Sequence, residues 1–357
     1  MSTQPFKVAV VGTGGISRGQ HIPNWKKIPG VEIVAVVDIQ ATAAEKAAAD
    51  HGIPHVFTSV EQMLDAVKPD AVDVCTPNLA HTPSVLLALE AGAHVICEKP
   101  LAVTSAEVRK MGELADAKGR LLMTAQMMRF NPAAKTIRKW IEGGNLGEVY
   151  HSRVYATRRN LIPPRPSFLD PNVSGGGPCV DIGVHALDTA MFLLDFPEPV
   201  AVSGTTRTNF GKSHILAGAW GEWDREHMLV EDFACGQIRF ADGSTMHLES
   251  SWLGHQPEDE RMEAQLFGIQ GSVNWPNATY STVSNQVMAD GKLIIKGGGG
   301  SSTYGSGYEA EINAFHQACV SEGLSPVPWQ QTFRVISILE GIYNSAKAGR
   351  EVEAARL

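Results

Sequence analysis

Near the N-terminus a β-branched run, Lys7-Val-Ala-Val-Val11, passes without interruption into Gly12-Thr-Gly14-Gly15-Ile16-Ser17. A short continuous apolar run marks a strand buried on both faces, and such strands occur in parallel sheets covered by helices. A plausible helix follows to about Lys27, and a second apolar strand, Val31 to Val37, ends in Asp38. Gly12 and Gly14 permit a tight turn and let a pyrophosphate approach backbone N–H groups at the helix start. An acid closing the second strand suits the hydroxyls of an adenosine ribose. The third small position of this turn is Ser17, where glycine or alanine is usual, and a serine allows helix–strand packing a little less closely. A carboxylate at Asp38 would repel a 2′-phosphate, and Ile39 and Gln40 supply no basic partner for one, so NAD is favoured over NADP. Arg18 could reach the phosphates or stand as a solvated helix residue.

The alternation continues. Ala41 to Gly52 and Ser59 to Lys68 read as helices, the second capped by Ser59. Ala71 to Cys75 reads as a third strand, His81 to Ala91 as a helix stopped by Gly92, and His94 to Cys97 as a fourth strand. Thr104-Ser-Ala-Glu107 is a capping box opening a helix to about Lys118, and Leu121 to Ala125 is a fifth strand. This pattern implies an α/β, doubly wound parallel sheet that binds ligands beyond the carboxyl ends of its strands. Asp38, Thr76, Asn78, Glu98, Lys99, Gln126 and Arg129 all fall at such ends. Lys99 carries most weight. A surface lysine is ordinarily a solvated charge, but one directly after a buried strand and before a proline is placed to point into the crevice. There its ammonium could bond a substrate oxygen and lower the pKa of a hydroxyl. His81, at a helix start, suits cofactor contact, capping or packing.

From Val149 the pattern changes. Val149 to Thr157, Val200 to Phe210, Glu231 to Phe240, Thr245 to Trp252, Ala264 to Trp275 and Gln286 to Lys296 read as longer strands, several alternating polar with apolar. Asp242-Gly243 is a hairpin signal. An α+β domain with a large, mostly antiparallel open sheet follows, one face covered and the other solvated or free for association. Asn131 to Gly144 reads as a crossover helix. Glu309 to Gly323 and Trp329 to Lys347 read as closing helices, the second with an apolar stripe (Phe333, Ile336, Leu339, Ile342, Tyr343) that could pack back on the first domain. Two domains are expected, 1–126 and 127–357, as the length of 357 residues allows. Arg158 to Pro171 lacks regular pattern and leads to the site, so it is expected to be a lid. Gly297 to Gly307, with Tyr304, suits a lid or a plain connection equally.

Within the second half, Gly175-Gly176-Gly177-Pro178-Cys179-Val180-Asp181-Ile182-Gly183-Val184-His185 frees the backbone and then carries Asp181 and His185 four residues apart. On a helix, positions i and i+4 lie on one face. A carboxylate beside an imidazole orients it and stabilises its charged form, which suits proton transfer near neutral pH. Alone, the pair reads more readily as solvated helix partners; the nucleotide turn and Lys99 give it a task.

The composition narrows the field. No apolar run approaches the ~18–20 residues of a membrane span. The net charge of −8 comes without a basic tract, which argues against nucleic acid or an anionic membrane as partner. Five scattered cysteines without CxxC spacing read as buried reduced thiols, and the polar N-terminus shows no signal peptide, so the cytoplasm is expected. Trp220 to His227, with His247 and His255, is histidine-rich, but its spacing matches no ligand set, so no metal is expected.

Together VAVVGTGGIS, VVD at Asp38, CTPNLAHTPSVLLALEAGAHVICEKPLA, MMRFNP and GGGPCVDIGVHALD resemble the glucose–fructose oxidoreductase, inositol dehydrogenase and rhizopine-catabolism (Gfo/Idh/MocA) family over nearly the whole chain. The resemblance implies a Rossmann-type domain followed by an open-sheet domain, often in homodimers or homotetramers formed through that sheet. It implies Lys99, Asp181 and His185 as the catalytic set, with Glu98 near the nicotinamide. Met128, Arg129 and Asn160 become candidates for shaping the substrate pocket. The expected cofactor-binding residues are then Gly12, Gly14, Gly15, Ile16, Asp38, Ile39, Thr76, Asn78, His81, Glu98, Lys99 and Gln126. The expected reaction is reversible, NAD-dependent oxidation of a secondary hydroxyl on a sugar, inositol or related polyol. NAD-dependent glycoside hydrolysis through transient oxidation, and a non-catalytic NAD-binding sensor, are the rival readings.

Overall fold

The computed structural model describes residues 4–295 and 307–357. The chain forms two units. The first runs to Met127 and takes in a later stretch ending at Thr332; the second begins at Met128 and includes Phe333–Leu357.

In the first unit, β1 (Phe6–Val11), β2 (Val31–Val37), β3 (His55–Phe57), β4 (Ala71–Val74), β5 (His94–Cys97) and β6 (Leu122–Thr124) form one parallel sheet in the order β3-β2-β1-β4-β5-β6. That is the doubly wound Rossmann arrangement, with its crevice where the order reverses between β1 and β4. Val8, Ala9 and Val10 of β1, Ala35 and Val36 of β2, and Ala71, Val72 and Val74 of β4 have no exposure, as continuous apolar runs require. Ala71 to Cys75 was expected as the third strand. It is the fourth, because the three-residue edge strand β3 precedes it, too short and too exposed to register as a core strand. Helix ends follow the side-chain rules: Ser59 accepts the N–H of Gln62, and Thr104 that of Glu107. The helix Tyr308–Val320 belongs to this unit and sets Phe315 edge-on to Trp25, ring centroids 6.1 Å apart. Trp329 covers Gly112 and donates to Asp116.

The second unit holds β7 (Val149–Arg158), β8 (Pro199–Arg207), β9 (Phe233–Phe240), β10 (Thr245–Ser251), β11 (Glu260–Gly268), β12 (Gly271–Trp275), β13 (Thr279–Ser284), β14 (Val287–Lys292) and β15 (Val352–Glu353). Their order is β14-β13-β12-β11-β7-β10-β9-β8-β15, antiparallel except where β7 and β10 run side by side. Two expected single strands are hairpins. Ala264 to Trp275 splits at Ile269-Gln270, and Gln286 to Lys296 is preceded by β13, turning at Asn285-Gln286 with φ of 51° and 65°. Gly268 and Gly271 flank the first turn and Asn285 opens the second, but neither has the Asn-Gly or Asp-Gly pair that marks a hairpin from sequence. Lys296, Tyr304 and most of the glycine-rich segment from Gly297 lie outside the described residues. The apolar stripe of the last helix packs within this unit. Ile342 lies against the bare backbones of Gly204 on β8 and Gly236 on β9, where an added Cβ would meet it at 2.7 Å.

Candidate active site

The glycine turn has two distinct faces. Gly12 takes φ +91°, and a Cβ there would stand 2.6 Å from the carbonyl oxygen of Cys75, so this position locks β1 against β4. Gly14 and Gly15 are exposed, and nothing lies within 4 Å of a Cβ built on Gly14. The helix that follows opens as a π turn, Ser17–His21, and continues as Ile22–Trp25. Asp38 Oδ2 accepts both the N–H (2.9 Å) and the hydroxyl (2.8 Å) of Thr13, and Oδ1 accepts the N–H of Gln40 (3.0 Å). A carboxylate offers about four lone-pair sites, so capacity for a ribose hydroxyl remains. Ile39 is 89% exposed.

Among the described residues, Ser17 Oγ, Arg18 Nε, Thr76 Oγ1 and Gln126 Oε1 are buried without hydrogen-bond partners. Buried polar atoms are nearly always satisfied. These orphans in the first unit, with an open glycine turn and a pinned acid, fit a dinucleotide, which would supply the missing donors and acceptors. Asn78 opens the short turn Asn78–Ala80. His81 is wholly buried with Nδ1 and Nε2 each 2.8 Å from a carbonyl oxygen, of Pro100 and Thr76 respectively. It braces the loops after β4 and β5, the packing alternative, with both ring nitrogens against protein carbonyls.

Beyond β5 stand Glu98 and Lys99. Glu98 Oε2 accepts the backbone N–H of Lys99 (2.9 Å), and Oε1 lies 3.0 Å from His21 Nε2. His21 Nδ1 meets both oxygens of Asp73, at 2.9 and 3.0 Å. Asp73, wholly buried on β4, also accepts from Trp25 Nε1 (2.7 Å). Burial pulls the His21 pKa down, but the charge and hydrogen bond of Asp73 outweigh it and carry it well above the ordinary value. Burial pushes Glu98 up; the hydrogen bond and charge of His21, then Lys99, overcome that and leave it lowered. Among the described residues, His21, Asp73 and Cys75 form the one cluster with metal-ligand proximity. Burial drives the Cys75 thiol strongly up, and the other two groups are engaged with each other, so the cluster is an ion network and not a cation seat. Nothing in the sequence pattern singled out His21 or Asp73.

In the second unit, the glycine run is demanded by close approaches. Gly175 is left-handed at φ +80°; a Cβ on Gly176 would fall 2.3 Å from the Tyr343 hydroxyl, and one on Gly177 2.1 Å from the Glu231 carbonyl oxygen. The buried Glu231 carboxylate accepts the N–H groups of Gly177 (3.0 Å) and Cys179 (3.3 Å) and the hydroxyl of Tyr343 (2.7 Å). It thereby seats the start of the helical segment Cys179–Leu193. That segment is not a uniform α-helix: Cys179–Gly183 is a π turn and Val184–Leu193 is α-helical. Asp181 lies in the wider turn and His185 in the α part, so the stacking assumed for i and i+4 does not carry over unchanged.

Asp181 Oδ2 accepts Trp252 Nε1 (3.1 Å) and lies 4.0 Å from Arg158 Nη1. Arg158 ends β7 and Trp252 follows β10; because these strands are parallel, they deliver both side chains to the same carboxylate. Arg158 is itself held by Glu260 at 2.7 Å. His185 is 6% exposed. Arg129, expected in the substrate pocket, is 3% exposed, paired through Nε (2.7 Å) and Nη2 (2.5 Å) with the buried Asp188, and stacked over Phe196. Met128 is 1% exposed. Asn160 bridges to Leu253 and donates to Ala217 O (3.1 Å). The segment expected as a lid is partly ordered, with one turn at Pro166–Leu169, and it buries Ile162 and Leu169. No described helix is long and apolar enough to cross a membrane.

Residues 6–126 match the model of an oxidoreductase family with an NAD-binding Rossmann fold, and residues 134–274 match the C-terminal domain of the same family. D-Glucoside 3-dehydrogenase of Escherichia coli is 32% identical over 354 residues, covering 99% of both chains. D-Xylose 1-dehydrogenase [NADP(+)] of Haloarcula marismortui is 33% identical over 208 residues, 56% of this chain and 57% of that one. Among solved structures, levoglucosan dehydrogenase in complex with NADH superposes with a TM-score of 0.85 at 23% identity, covering 99% of this chain and all of that one, a likeness of fold. A match through both family domains, on a chain whose parallel sheet carries a pinned acid and an open glycine turn, makes this protein a member of the Gfo/Idh/MocA oxidoreductase family.

Proposed function

We propose that the protein is an NAD-dependent dehydrogenase that reversibly oxidises a secondary hydroxyl of a sugar, sugar glycoside or related polyol, with Lys99, Asp181 and His185 as its catalytic residues. The likeness to a D-glucoside 3-dehydrogenase over 99% of both chains carries this reading and points to a pyranoside ring hydroxyl. Bound NAD+ supplies the hydride acceptor. His185 takes the hydroxyl proton. Asp181, held by Trp252 and Arg158, orients the ring and stabilises its cationic form. The Lys99 ammonium stabilises the developing alkoxide. NAD is preferred to NADP because Asp38, fixed by Thr13, would face a 2′-phosphate with a carboxylate. The half-exposed face of the second sheet, with Tyr155, Glu263 and Gln265, supports association into homodimers or homotetramers.

The test is NAD+ reduction against a panel of glucosides, anhydrosugars, aldoses and inositols. A stoichiometric rise in NADH supports oxidation, and Lys99→Ala should lower kcat on the order of 100-fold or more while dinucleotide affinity stays within a few-fold. Product without net NADH would replace this reading with hydrolysis through transient oxidation. Binding of NADH with no turnover of any member would replace it with a sensor.

A further inference from the structure

The first unit buries an ionic array that the proposed chemistry does not use. His21 has no exposure, and each of its ring nitrogens faces a carboxylate: Nδ1 meets Asp73 at 2.9 Å and Nε2 meets Glu98 at 3.0 Å. A neutral imidazole carries one N–H and could serve only one of them, so the geometry calls for the imidazolium. Of the two acids, Asp73 has no exposure, whereas the Glu98 side chain retains 10%. Both Glu98 oxygens are tied, one to His21 and the other to the backbone N–H of Lys99.

Position gives the array a direction. A dinucleotide lies across the point where the strand order reverses, one half on each side. Asp38, at the end of β2, marks the adenosine side. Glu98, at the end of β5 across the switch between β1 and β4, falls on the nicotinamide side. We propose that His21 and Asp73 are positioning residues that hold Glu98 as a fixed carboxylate toward the nicotinamide, so that the protein favours the cationic ring of NAD+ over the neutral ring of NADH. This rests on the dehydrogenase reading above and deepens it: a site that draws the oxidised cofactor is set for alcohol oxidation.

The surroundings agree. His21 faces Asp73 from β4, Cys75 just after it, Glu98 from the end of β5 and the Tyr308 ring at 6.1 Å from the helix Tyr308–Val320, which also carries the buried Glu311, while Trp25 donates to Asp73. Burial pushes the Cys75 thiol and the Tyr308 phenol up, so both stay neutral, and Asp73 is the charge that sustains the imidazolium. Burial pushes the Glu98 pKa up, and His21 is the largest of the influences that hold it down, ahead of the Lys99 charge and backbone N–H.

The test is equilibrium binding of NAD+ and NADH separately, at pH 6 and pH 8.5, to the wild-type protein, His21→Gln and Glu98→Gln, with thermal unfolding as the control for folding. No sugar is needed. Glu98→Gln should weaken NAD+ about tenfold at both pH values while NADH changes less than twofold, the order expected of one charge felt through protein over several ångströms. His21→Gln should weaken NAD+ more than NADH, because Glu98 loses the side chain that fixes it, and the loss should be no smaller at pH 6 than at pH 8.5. Equal losses for both dinucleotides, or none, would overturn the proposal and leave the array a fold cement. If His21→Gln does not fold, Glu98→Gln decides by the same criterion. A wild-type protein that binds neither dinucleotide overturns the dehydrogenase reading itself, and the proposal with it.

Discussion

Two glycine-rich turns in this protein lead into π turns, and each π turn bonds a buried glutamate, yet the two acids respond to burial in opposite ways. Glu98 bonds His21 beside the turn of the first unit, and its pKa lies below the ordinary carboxylate value. Glu231 receives Gly177, Cys179 and Tyr343 at the turn of the second unit, and its pKa lies above that value because burial outweighs those donors. Both are 8% exposed, so depth does not separate them. The partners do. A cation offsets the desolvation of a carboxylate, while neutral dipoles offset it only in part. Glu98 is therefore built to present a charge, and Glu231 to fasten a backbone.

If Glu231 is a fastener, truncating it should have the largest effect on stability. Glu231→Ala strips the acceptor from two main-chain N–H groups and a phenol at once, and each buried donor left unpaired costs about 1–3 kcal/mol. A loss of about 3 kcal/mol or more in urea unfolding is expected, together with loss of activity, since the glycine run it seats leads directly to Asp181 and His185. A loss under 1 kcal/mol would mean that water replaces the carboxylate and that Glu231 fastens nothing. Tyr343→Phe removes one of the three donors and leaves the backbone pair intact. Its expected cost is about 1.5 kcal/mol, as for a hydrogen bond to a charged acceptor, and a cost equal to that of Glu231→Ala would make the phenol the anchor in place of the backbone.

Glu98 is legible at the end of a buried strand, but Glu231 and the partners that hold Glu98 are hard to single out from sequence, for one reason. The turns themselves are legible: glycines at Gly12 and Gly175–Gly177, strand ends at Asp38 and Lys99, caps at Ser59 and Thr104 all act over a few residues. So are the parallel strands, whose apolar runs need no partner to be recognised. The partners that complete the site come from far away. His21 meets Asp73 across 52 residues and Glu98 across 77; Gly177 meets Glu231 across 54. A lone histidine after a glycine turn and a lone glutamate before a strand have no local signature. Arg129 likewise meets Asp188 from 59 residues away, an ion pair that no local pattern announces. Alternation on the second sheet revealed its class but not its register, because the turns at Ile269-Gln270 and Asn285-Gln286 lack the Asn-Gly or Asp-Gly pair that would have split the runs.

The smallest effect is the one that separates the two acids most directly. Glu98 has a folded pKa below its ordinary 4.5, so the stability it contributes is present above that pH and is lost as the pH falls through the folded value. Glu231 has a folded pKa above its ordinary 4.5, so its contribution is greatest below that pH and declines as the pH rises through the folded value. Glu231→Gln keeps a carbonyl to accept from Gly177 or Tyr343 but cannot ionise. The stability advantage of the wild type over this variant, followed by urea unfolding from pH 4.5 to pH 8, should therefore shrink as the pH rises, by less than either loss above. The decline arises because the native state holds the Glu231 proton where the unfolded chain has released it. A gap that widens with pH would place Glu231 in the same class as Glu98, and a constant gap would show that its neutral donors balance burial fully.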